Sequence, residues 1–307
     1  MSVPGFGPGR SGNSLTMRPF DDISRLESAT VLDKPAAMIR QVVQRLLSNR
    51  RLKDALHGVW LGHPLHPGAA QFALGSFVSA TLIDSVGGDR RTSSGLIAAG
   101  LAMTAPTVAA GWADWSDSHE DQQRVGLVHA ATNIVAVSCY ATALVRRRGG
   151  DSGRLFSLAG GAIMGVGAML GGHLGYRQAT GVNHAEEIAH VGPQDWQAVG
   201  TFAELPDGRA VRRTAGAVPV FVLRRGDAVT VLSDRCPHLS APLHEGVVVG
   251  SDGDTRVICP WHGSEFRVAD GCVVHGPATA PVPRFDSRVV GGELQARVVT
   301  IPGVAAS

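Results

Sequence analysis

Four long apolar runs fill the middle of the chain. They cover residues 68–83, 93–113, 125–145 and 155–176, and none contains Asp, Glu, Lys or Arg. A helix needs roughly 17–25 residues to cross a bilayer; the last three runs have that length, and the first does if Asp84 lies near an interface. A soluble domain with buried Ala-rich helices is the alternative, but such helices normally keep a charged stripe. The pattern therefore predicts four membrane-spanning helices.

Residues 1–56 are predicted to form a flexible tail followed by a basic amphipathic helix over residues 33–53. The apolar side chains of Ile39, Val43 and Leu47 recur at helical spacing, with arginines between them. This pattern fits a helix lying on a membrane surface and equally a helix packed against the rest of the protein. The tail is rich in Gly, Pro and Ser and lacks the features of a secretory signal.

The last third of the chain shows the alternation of short β-strands. Residues 218–233, VPVFVLRRGDAVTVLS, predict a hairpin around the RGD turn, and further short apolar segments follow. Strands of this length and spacing are typical of a small antiparallel β-barrel or sandwich. The chain is thus predicted to be multi-domain, with an all-α four-helix transmembrane bundle followed by an all-β domain. The predicted bounds are residues 57–182 for the bundle, 183–194 for a linker and 195–307 for the β-domain.

Polar residues concentrate at one end of the predicted bundle, here called side A, where both termini of the four-helix bundle emerge. His66, His129 and His173 belong to this group. Ionisable residues inside a membrane are costly and are candidates for function. The three histidines are therefore candidate ligands of a haem b or contacts of a quinone. Helix-to-helix hydrogen bonding is the alternative role.

Net charge and cysteine usage narrow the choices. The formal charge of +2 gives no field that would favour nucleic acid. Four cysteines in a long chain without a secretory signal do not suggest a disulfide framework. Three of them, Cys236, Cys259 and Cys272, fall in the last third. Metal ligation is the reading that this clustering favours.

Two short stretches each supply one Cys and one His: Cys236-x-His238 and Cys259-x-x-His262. Two Cys and two His can build a structural zinc site, but zinc fingers usually group the cysteines together and then the histidines. One of each per loop suits a [2Fe–2S] cluster in which one iron takes two thiolates and the other two imidazoles. Ser264 follows the second His and is expected to donate a hydrogen bond to a cluster sulfur.

With CPHLS, CPWHGSEF and the later GPATAP, the C-terminal part closely resembles the Rieske [2Fe–2S] domain family over residues 195–303. The resemblance implies that Cys236 and Cys259 bind one iron and that His238 and His262 bind the other. Respiratory members usually carry an additional cysteine in each loop, and high-potential members have a tyrosine where this chain has Phe266. Their absence indicates the ferredoxin and oxygenase type, with a potential in the low part of the Rieske range. His244 and His275 fall outside the pattern and are expected to lie at the surface or behind the ligands.

The predicted bundle resembles a family of uncharacterised four-helix bacterial membrane proteins over residues 57–182. The resemblance rests on GHPLHPGAAQFALG, on His129 and Asn133, and on GGHLGY. Because that family has no known function, it implies topology and not chemistry.

These features together predict a membrane-anchored electron-transfer protein that uses the exposed edges of His238 and His262. Its expected partners are a redox protein or quinone and the lipid bilayer, with no nucleic acid. An oxygenase is disfavoured because its catalytic domain normally follows the Rieske domain, and this chain ends at Ser307. A quinol-oxidising or cytochrome-like enzyme and a redox-sensing module remain alternatives.

The expected location is a bacterial inner membrane, crossed several times. Arginines between the runs on the side opposite side A would make that opposite side cytoplasmic by the positive-inside rule. The basic N-terminal helix lies on side A, however, and no twin-arginine export signal is present. We therefore expect the β-domain in the cytoplasm.

Overall fold

The computed structural model describes residues 18–299 and consists of a helical part followed by a β part. The predicted tail over residues 1–17 and the end of the chain, residues 300–307, lie outside the described residues. The helices are α1 (Arg18–Glu27), α2 (Asp33–Leu46), α3 (Arg50–His57), α4 (Leu65–Ser85), α5 (Arg90–Ser116), α6 (Glu120–Arg148), α7 (Arg154–Gly172) and the short α8 (Ile188–Val191). A π-helical turn, His173–Arg177, continues α7.

Helices α4 to α7 form two antiparallel hairpins, α4 with α5 and α6 with α7, which pack on each other. The ring of Phe77 stacks on that of Tyr140, with 4.3 Å between the centroids and 18° between the planes. Gly100 faces this pair so closely that a Cβ there would come within 2.8 Å of the Phe77 ring. Gly160 likewise faces Tyr140. Small residues thus let the helices approach closely, as is common inside membranes.

Three of these helices are long and apolar enough to cross a membrane: Arg90–Ser116, Glu120–Arg148 and Arg154–Arg177, with mean hydropathies of 1.5, 1.5 and 1.6. Helix α4, with 21 residues, is not among the three. Its crossing of the bilayer stays a prediction. The apolar runs correctly predicted where the long helices lie.

A buried ion pair closes the end of the bundle that lies opposite side A. Arg147 Nη2 lies 2.5 Å from Asp84 Oδ2, and the two side chains are 5% and 6% exposed. The guanidinium also donates to the hydroxyls of Ser93 and Ser94 and to the carbonyl of Ser152. Asp84, predicted to lie near an interface, is therefore held inside the protein by a charged partner.

The structure differs from the predicted helix over residues 33–53. That segment is broken into α2 and α3, and a further helix, α1, precedes it. Asn49 causes the break because its side chain accepts a hydrogen bond from the Leu52 N–H at 3.2 Å, as an N-cap residue does. Gly58 ends α3 in a left-handed conformation (φ +82°).

The β part contains two antiparallel sheets. Its strands are β1 (Gln197–Thr201), β2 (Ala210–Ala215), β3 (Val218–Arg225), β4 (Ala228–Ser233), β5 (Val247–Val249), β6 (Arg256–Ile258), β7 (Glu265–Arg267), β8 (Val273–His275), β9 (Arg284–Val290) and β10 (Glu293–Val298). The large sheet has the order β1-β10-β9-β4-β3-β2, and the small one β5-β6-β7-β8. Because β1 and β2 also approach each other, the large sheet curls into a nearly closed barrel.

Strand β3 is buried on both faces, which ties the two sheets together. Val220 and Val222 point into one core, which also contains Ala185 and Ile188 of the segment predicted as a linker. Phe221 and Leu223, on the opposite face, join a second core shared with the small sheet. Alternating residues of a strand point to opposite faces, so the predicted hairpin supplies both cores.

Replacing Asp84 with Ala removes the acid that neutralises buried Arg147. We expect a loss of about 3–5 kcal/mol in the free energy of unfolding, because an uncompensated charge remains inside the protein. The thermal unfolding midpoint of the detergent-solubilised protein measures it. Arg146→Ala is the matched control: it breaks the pair with Asp151, whose members are 55% and 42% exposed, and should cost about 0–1 kcal/mol. Equal, small losses in the two variants would contradict a buried pair.

Candidate metal centre

The two Cys/His stretches form loops with the same backbone hydrogen bonds. In the first, Cys236 N–H donates to Ala241 O at 2.9 Å, and Ser240 N–H returns to Cys236 O at 2.9 Å. In the second, Cys259 N–H donates to Ser264 O at 2.8 Å, and Gly263 N–H returns to Cys259 O at 3.2 Å. Both loops therefore close on themselves, with the cysteine at the start.

A left-handed residue follows each histidine at the same place in its loop. Ser240 has φ +65° and Gly263 has φ +73°. Glycine adopts this conformation without strain, whereas serine does so rarely. The first loop thus keeps its shape at some conformational cost, which marks the shape as one that the rest of the fold enforces.

The two thiols lie together in the second core of the β-domain. Cys236 and Cys259 are 1% and 3% exposed, and both are free of disulfides. A hydrogen bond between them, together with burial, raises the pKa of the Cys236 thiol well above its usual range. The backbone N–H groups of His238 and Leu239 donate to the Cys236 sulfur, and those of Trp261 and His262 donate to Cys259. Such donors favour thiolates.

The two imidazoles form a second pair. The rings of His238 and His262 are 5.0 Å apart between centroids and nearly perpendicular, at 84°. Burial lowers the pKa of His238 to about 3, and burial also lowers the pKa of His262. Both rings are therefore neutral at pH 7, as metal ligation requires.

His238 Nδ1 is buried and has no hydrogen-bond partner in the described residues. A buried polar atom normally has a partner, so this nitrogen requires an explanation such as a bound metal. Across residues 18–299, no three His, Cys, Asp or Glu side chains converge as the ligands of a single ion. The separate thiol and imidazole pairs fit a binuclear group better than one tetrahedral zinc.

A third loop, residues 275–285, packs behind the second. Ser264 is fully buried, and its Oγ accepts the Ala278 N–H at 2.9 Å. That bond leaves the hydroxyl proton of Ser264 unused, so its donation to a cluster sulfur stays a prediction. Phe266, which has no hydroxyl, is fully buried in the core that contains both thiols.

Asp234, which the sequence analysis missed, braces the first loop. Its carboxylate accepts the backbone N–H of His244 and lies 2.7 Å from His244 Nδ1. Asp234 is 3% exposed, and burial raises its pKa. His244 was expected at the surface or behind the ligands; it supports the loop from behind. The position of Asp234, two residues before Cys236, was the available signal.

The rings of His238 and His262 are half-buried. The edges that the sequence predicted to be exposed are therefore only partly accessible. The ring of His119, which precedes α6, lies 5.7 Å from that of His262 and 5.5 Å from that of Trp261, measured between centroids. On the other side, His184 N–H donates to Pro237 O at 2.9 Å. The β-domain therefore meets the helical domain at side A, through its ligand loops.

Beside this contact, His57 of α3 is enclosed by two carboxylates. Its Nδ1 lies 2.8 Å from Asp114 Oδ1, and its Nε2 lies 3.2 Å from Asp117 Oδ2. Burial opposes a charge on this ring, but the hydrogen bonds to the two acids outweigh burial and raise the pKa of His57 to about 9. Lys53 Nζ is 2.7 Å from Asp117. Two cations and two anions thus balance one another.

The three candidate histidines of the helical domain are arranged in two places. His66 and His129 have ring centroids 6.5 Å apart, and their Nδ1 atoms lie 2.9 Å from the carbonyls of Thr107 and Gly167. Carbonyl oxygens only accept, so each Nδ1 carries the proton and each Nε2 has the lone pair. His173 instead pairs with Glu27 of α1, with 2.6 Å between Nε2 and Oε1.

Two family models match separate parts of the chain. The Rieske [2Fe-2S] domain model matches residues 195–286, and the model described as Predicted membrane protein (DUF2231) matches residues 62–184. These ranges agree with the β-domain and with helices α4 to α7.

Curated relatives cover the β-domain. Ferredoxin CarAc of Metapseudomonas resinovorans is 37% identical over 103 residues, which are 33% of this chain and 92% of that protein. The anthranilate 1,2-dioxygenase ferredoxin subunit of Burkholderia cepacia is 32% identical over 34% of this chain and 93% of its own length. The cytochrome b6-f complex iron-sulfur subunit of Chlorobaculum thiosulfatiphilum is 29% identical, over 31% of this chain and 50% of that protein. Through its C-terminal domain, the chain belongs to the Rieske [2Fe-2S] family, whose fold implies a [2Fe–2S] cluster, and here that domain follows a DUF2231 predicted membrane protein domain.

Proposed function

We propose that this protein is a membrane-anchored single-electron carrier in which Cys236 and Cys259 hold one iron of the cluster and His238 and His262 hold the other. The observation that carries the proposal is the matched pair of loops, which bring two thiols together and two imidazoles together. The orphaned Nδ1 of His238 fits a ligand role. When bound, a Rieske cluster supplies a one-electron redox couple.

The surrounding groups suit that task. Backbone N–H groups aimed at both sulfurs stabilise negative charge there, and Ser264 has a hydroxyl proton to donate. Two of the relatives are named as ferredoxin or as a ferredoxin subunit, which supports an electron carrier over a complete oxygenase. Its redox partners, a protein or a quinone, are part of the proposal.

The helical domain is proposed to anchor the carrier in a bacterial inner membrane by helices α4 to α7. Three helices with the required length and hydropathy support this, as does the match to a predicted membrane protein model. We place the β-domain in the cytoplasm because the basic helices α2 and α3 lie on its side of the bundle and because free cysteines suit a reducing compartment.

His66 and His129 support a second candidate role, the binding of a haem b or a quinone. Each ring is oriented by a backbone carbonyl, which is how proteins fix the tautomer of a ligating or hydrogen-bonding histidine. Asn133 Nδ2 lies 3.2 Å from His129 Nε2, however, which fits helix packing equally well. His173 is less suited, because its Nε2 faces Glu27.

Purified protein should show the optical and EPR signals of a reduced Rieske cluster, with two irons and two sulfides per chain, the content of a [2Fe–2S] cluster. Cys236→Ser, His238→Ala and His262→Ala should abolish those signals. Cys272→Ser, which changes the exposed cysteine, is the matched control and should keep them. Zinc in place of iron would contradict the proposal. A Soret band lost in His66→Ala and His129→Ala would add a haem.

The cluster should have a potential in the lower part of the Rieske range of about −150 to +300 mV. Ser264→Ala should lower it by about 60 mV, since a hydrogen bond to a charged group contributes roughly 1.5 kcal/mol and 59 mV corresponds to a tenfold change for one electron. Phe266→Tyr adds a hydroxyl and should raise it. An EPR-monitored redox titration measures all three proteins. A wild-type value near the top of the range, or no change in Ser264→Ala, would refute this prediction.

Exposed Cys272 reports which side of the membrane holds the β-domain. A membrane-impermeant maleimide should label Cys272 in inverted vesicles and leave it unlabelled in intact cells, because the proposed cytoplasmic side faces the reagent only in inverted vesicles. Cys236 and Cys259 are buried, and Cys272 is the exposed one among the four cysteines. Cys272→Ser should abolish the labelling. Labelling in intact cells would place the β-domain outside.

A further inference from the structure

The short helix α3 contacts both domains through two neighbouring stripes of side chains. Arg50 and Asp54 form one stripe, and Lys53 and His57 form the other, since residues four apart share a helix face. An eight-residue helix has little stability of its own. Its position must therefore come from these contacts.

The first stripe holds the β-domain. Asp54 accepts the Gly276 N–H at 2.9 Å and lies 2.7 Å from His275 Nδ1. Arg50 lies 2.5 Å from Glu265, whose side chain is only 8% exposed. These contacts bind α3 to the third loop and to β7, the elements directly behind the second Cys/His loop.

The second stripe holds the helical domain. His57 is 1% exposed and bound by Asp114 and Asp117, at the side A end of α5. Lys53 adds a second cation against Asp117. The ring of His57 is enclosed by two acids. Moving α3 away from this site would therefore leave buried charges without partners or expose them to solvent.

As a result, the helical domain covers part of both imidazoles, which are half-buried. His119 lies over His262. A small cavity beside His238 is lined by Pro64 and residues 181–183 from the helical side, and by Pro277 and neighbours from the third loop. A soluble redox protein therefore gains full access to these edges only when the domains separate.

We propose that α3 clamps the β-domain to the helical domain and thereby limits the access of soluble redox proteins to the imidazole edges of His238 and His262. This inference rests on the proposed function, because access to the two histidines matters for electron transfer only if they hold the cluster.

The test uses the full-length, cluster-loaded protein in detergent and a charge-neutral double variant, R50A/D54A. This variant removes the contacts to Glu265, His275 and Gly276 while leaving the net charge unchanged. The matched control R297A/D286A removes an exposed ion pair of the large sheet within the β-domain. Asp54→Asn is a milder variant that keeps the size of the side chain.

The first readout is amide hydrogen exchange at Gly276 and at His184, whose N–H donates to Pro237 O across the domain contact; this readout needs no redox activity. The second is the rate at which ferricyanide, a hydrophilic oxidant, takes one electron from the reduced cluster and becomes ferrocyanide. In R50A/D54A, exchange at these residues and the ferricyanide rate should both rise by about tenfold or more, because access scales with the open fraction. Asp54→Asn should give smaller rises in both, and the control should match wild type.

Two results would overturn the inference. Unchanged exchange at His184 would show that α3 does not hold the domains together. Increased exchange with an unchanged ferricyanide rate would show that the imidazoles are not shielded. A protein without a cluster would instead refute the proposed function, and the exchange measurement would still decide the clamp.

Discussion

The β-domain depends on a pair of loops that each bring one cysteine and one histidine to the same place, so that the two thiols lie together and the two imidazoles lie together. The loops solve this in the same way: a cysteine amide bonded five residues ahead and a left-handed residue after the histidine. The remaining features support that geometry. Asp234 braces the first loop, Ser264 ties the second to the third, and β3 is buried on both faces behind them. Since each loop is closed by its own backbone, the ligand atoms can be placed before any metal arrives.

The same loops also form the contact with the helical domain. They must therefore hold the cysteine and histidine side chains in place and also pack against the helices. A redox site that is open to a partner must expose its ligands, whereas a covered site must provide a route through its cover. Here the cover is aromatic and ionisable, with His119 and Trp261 over His262 and with His57, Asp114 and Asp117 beside it. The four charges of Lys53, His57 and the two acids cancel, so α3 can be held tightly without leaving a net charge beside the cluster site.

Much of this architecture could be predicted from sequence because it depends on local patterns. Charge-free runs located the long helices, two-residue alternation located the β3–β4 hairpin, and the Cys/His spacing indicated the family. The missed features depend on contacts between distant positions. Asp54 meets Gly276 across 222 positions, and His66 finds His129 because Gly111 and Gly171 leave room for the two rings. No periodicity contains such information. Asn49 is a favourable N-cap residue and could have indicated the break. The apolar side chains through residues 39–47 favoured one continuous helix instead.

Charged pairs mark the two ends of the bundle and leave its middle apolar. At one end Arg147 is neutralised by Asp84, and at the other Arg124 lies 2.6 Å from Asp33. Helix α5, with 27 residues, is about 40 Å long at 1.5 Å per residue, which exceeds a hydrocarbon core of about 30 Å. Arg147, bound inside the protein, no longer acts as a free charge for topology. Arg146 is paired with Asp151, and Arg154 donates to the Ser85 carbonyl. These three arginines opposite side A are thus engaged in structure, which weakens their weight in the positive-inside rule and supports the proposed placement of side A in the cytoplasm.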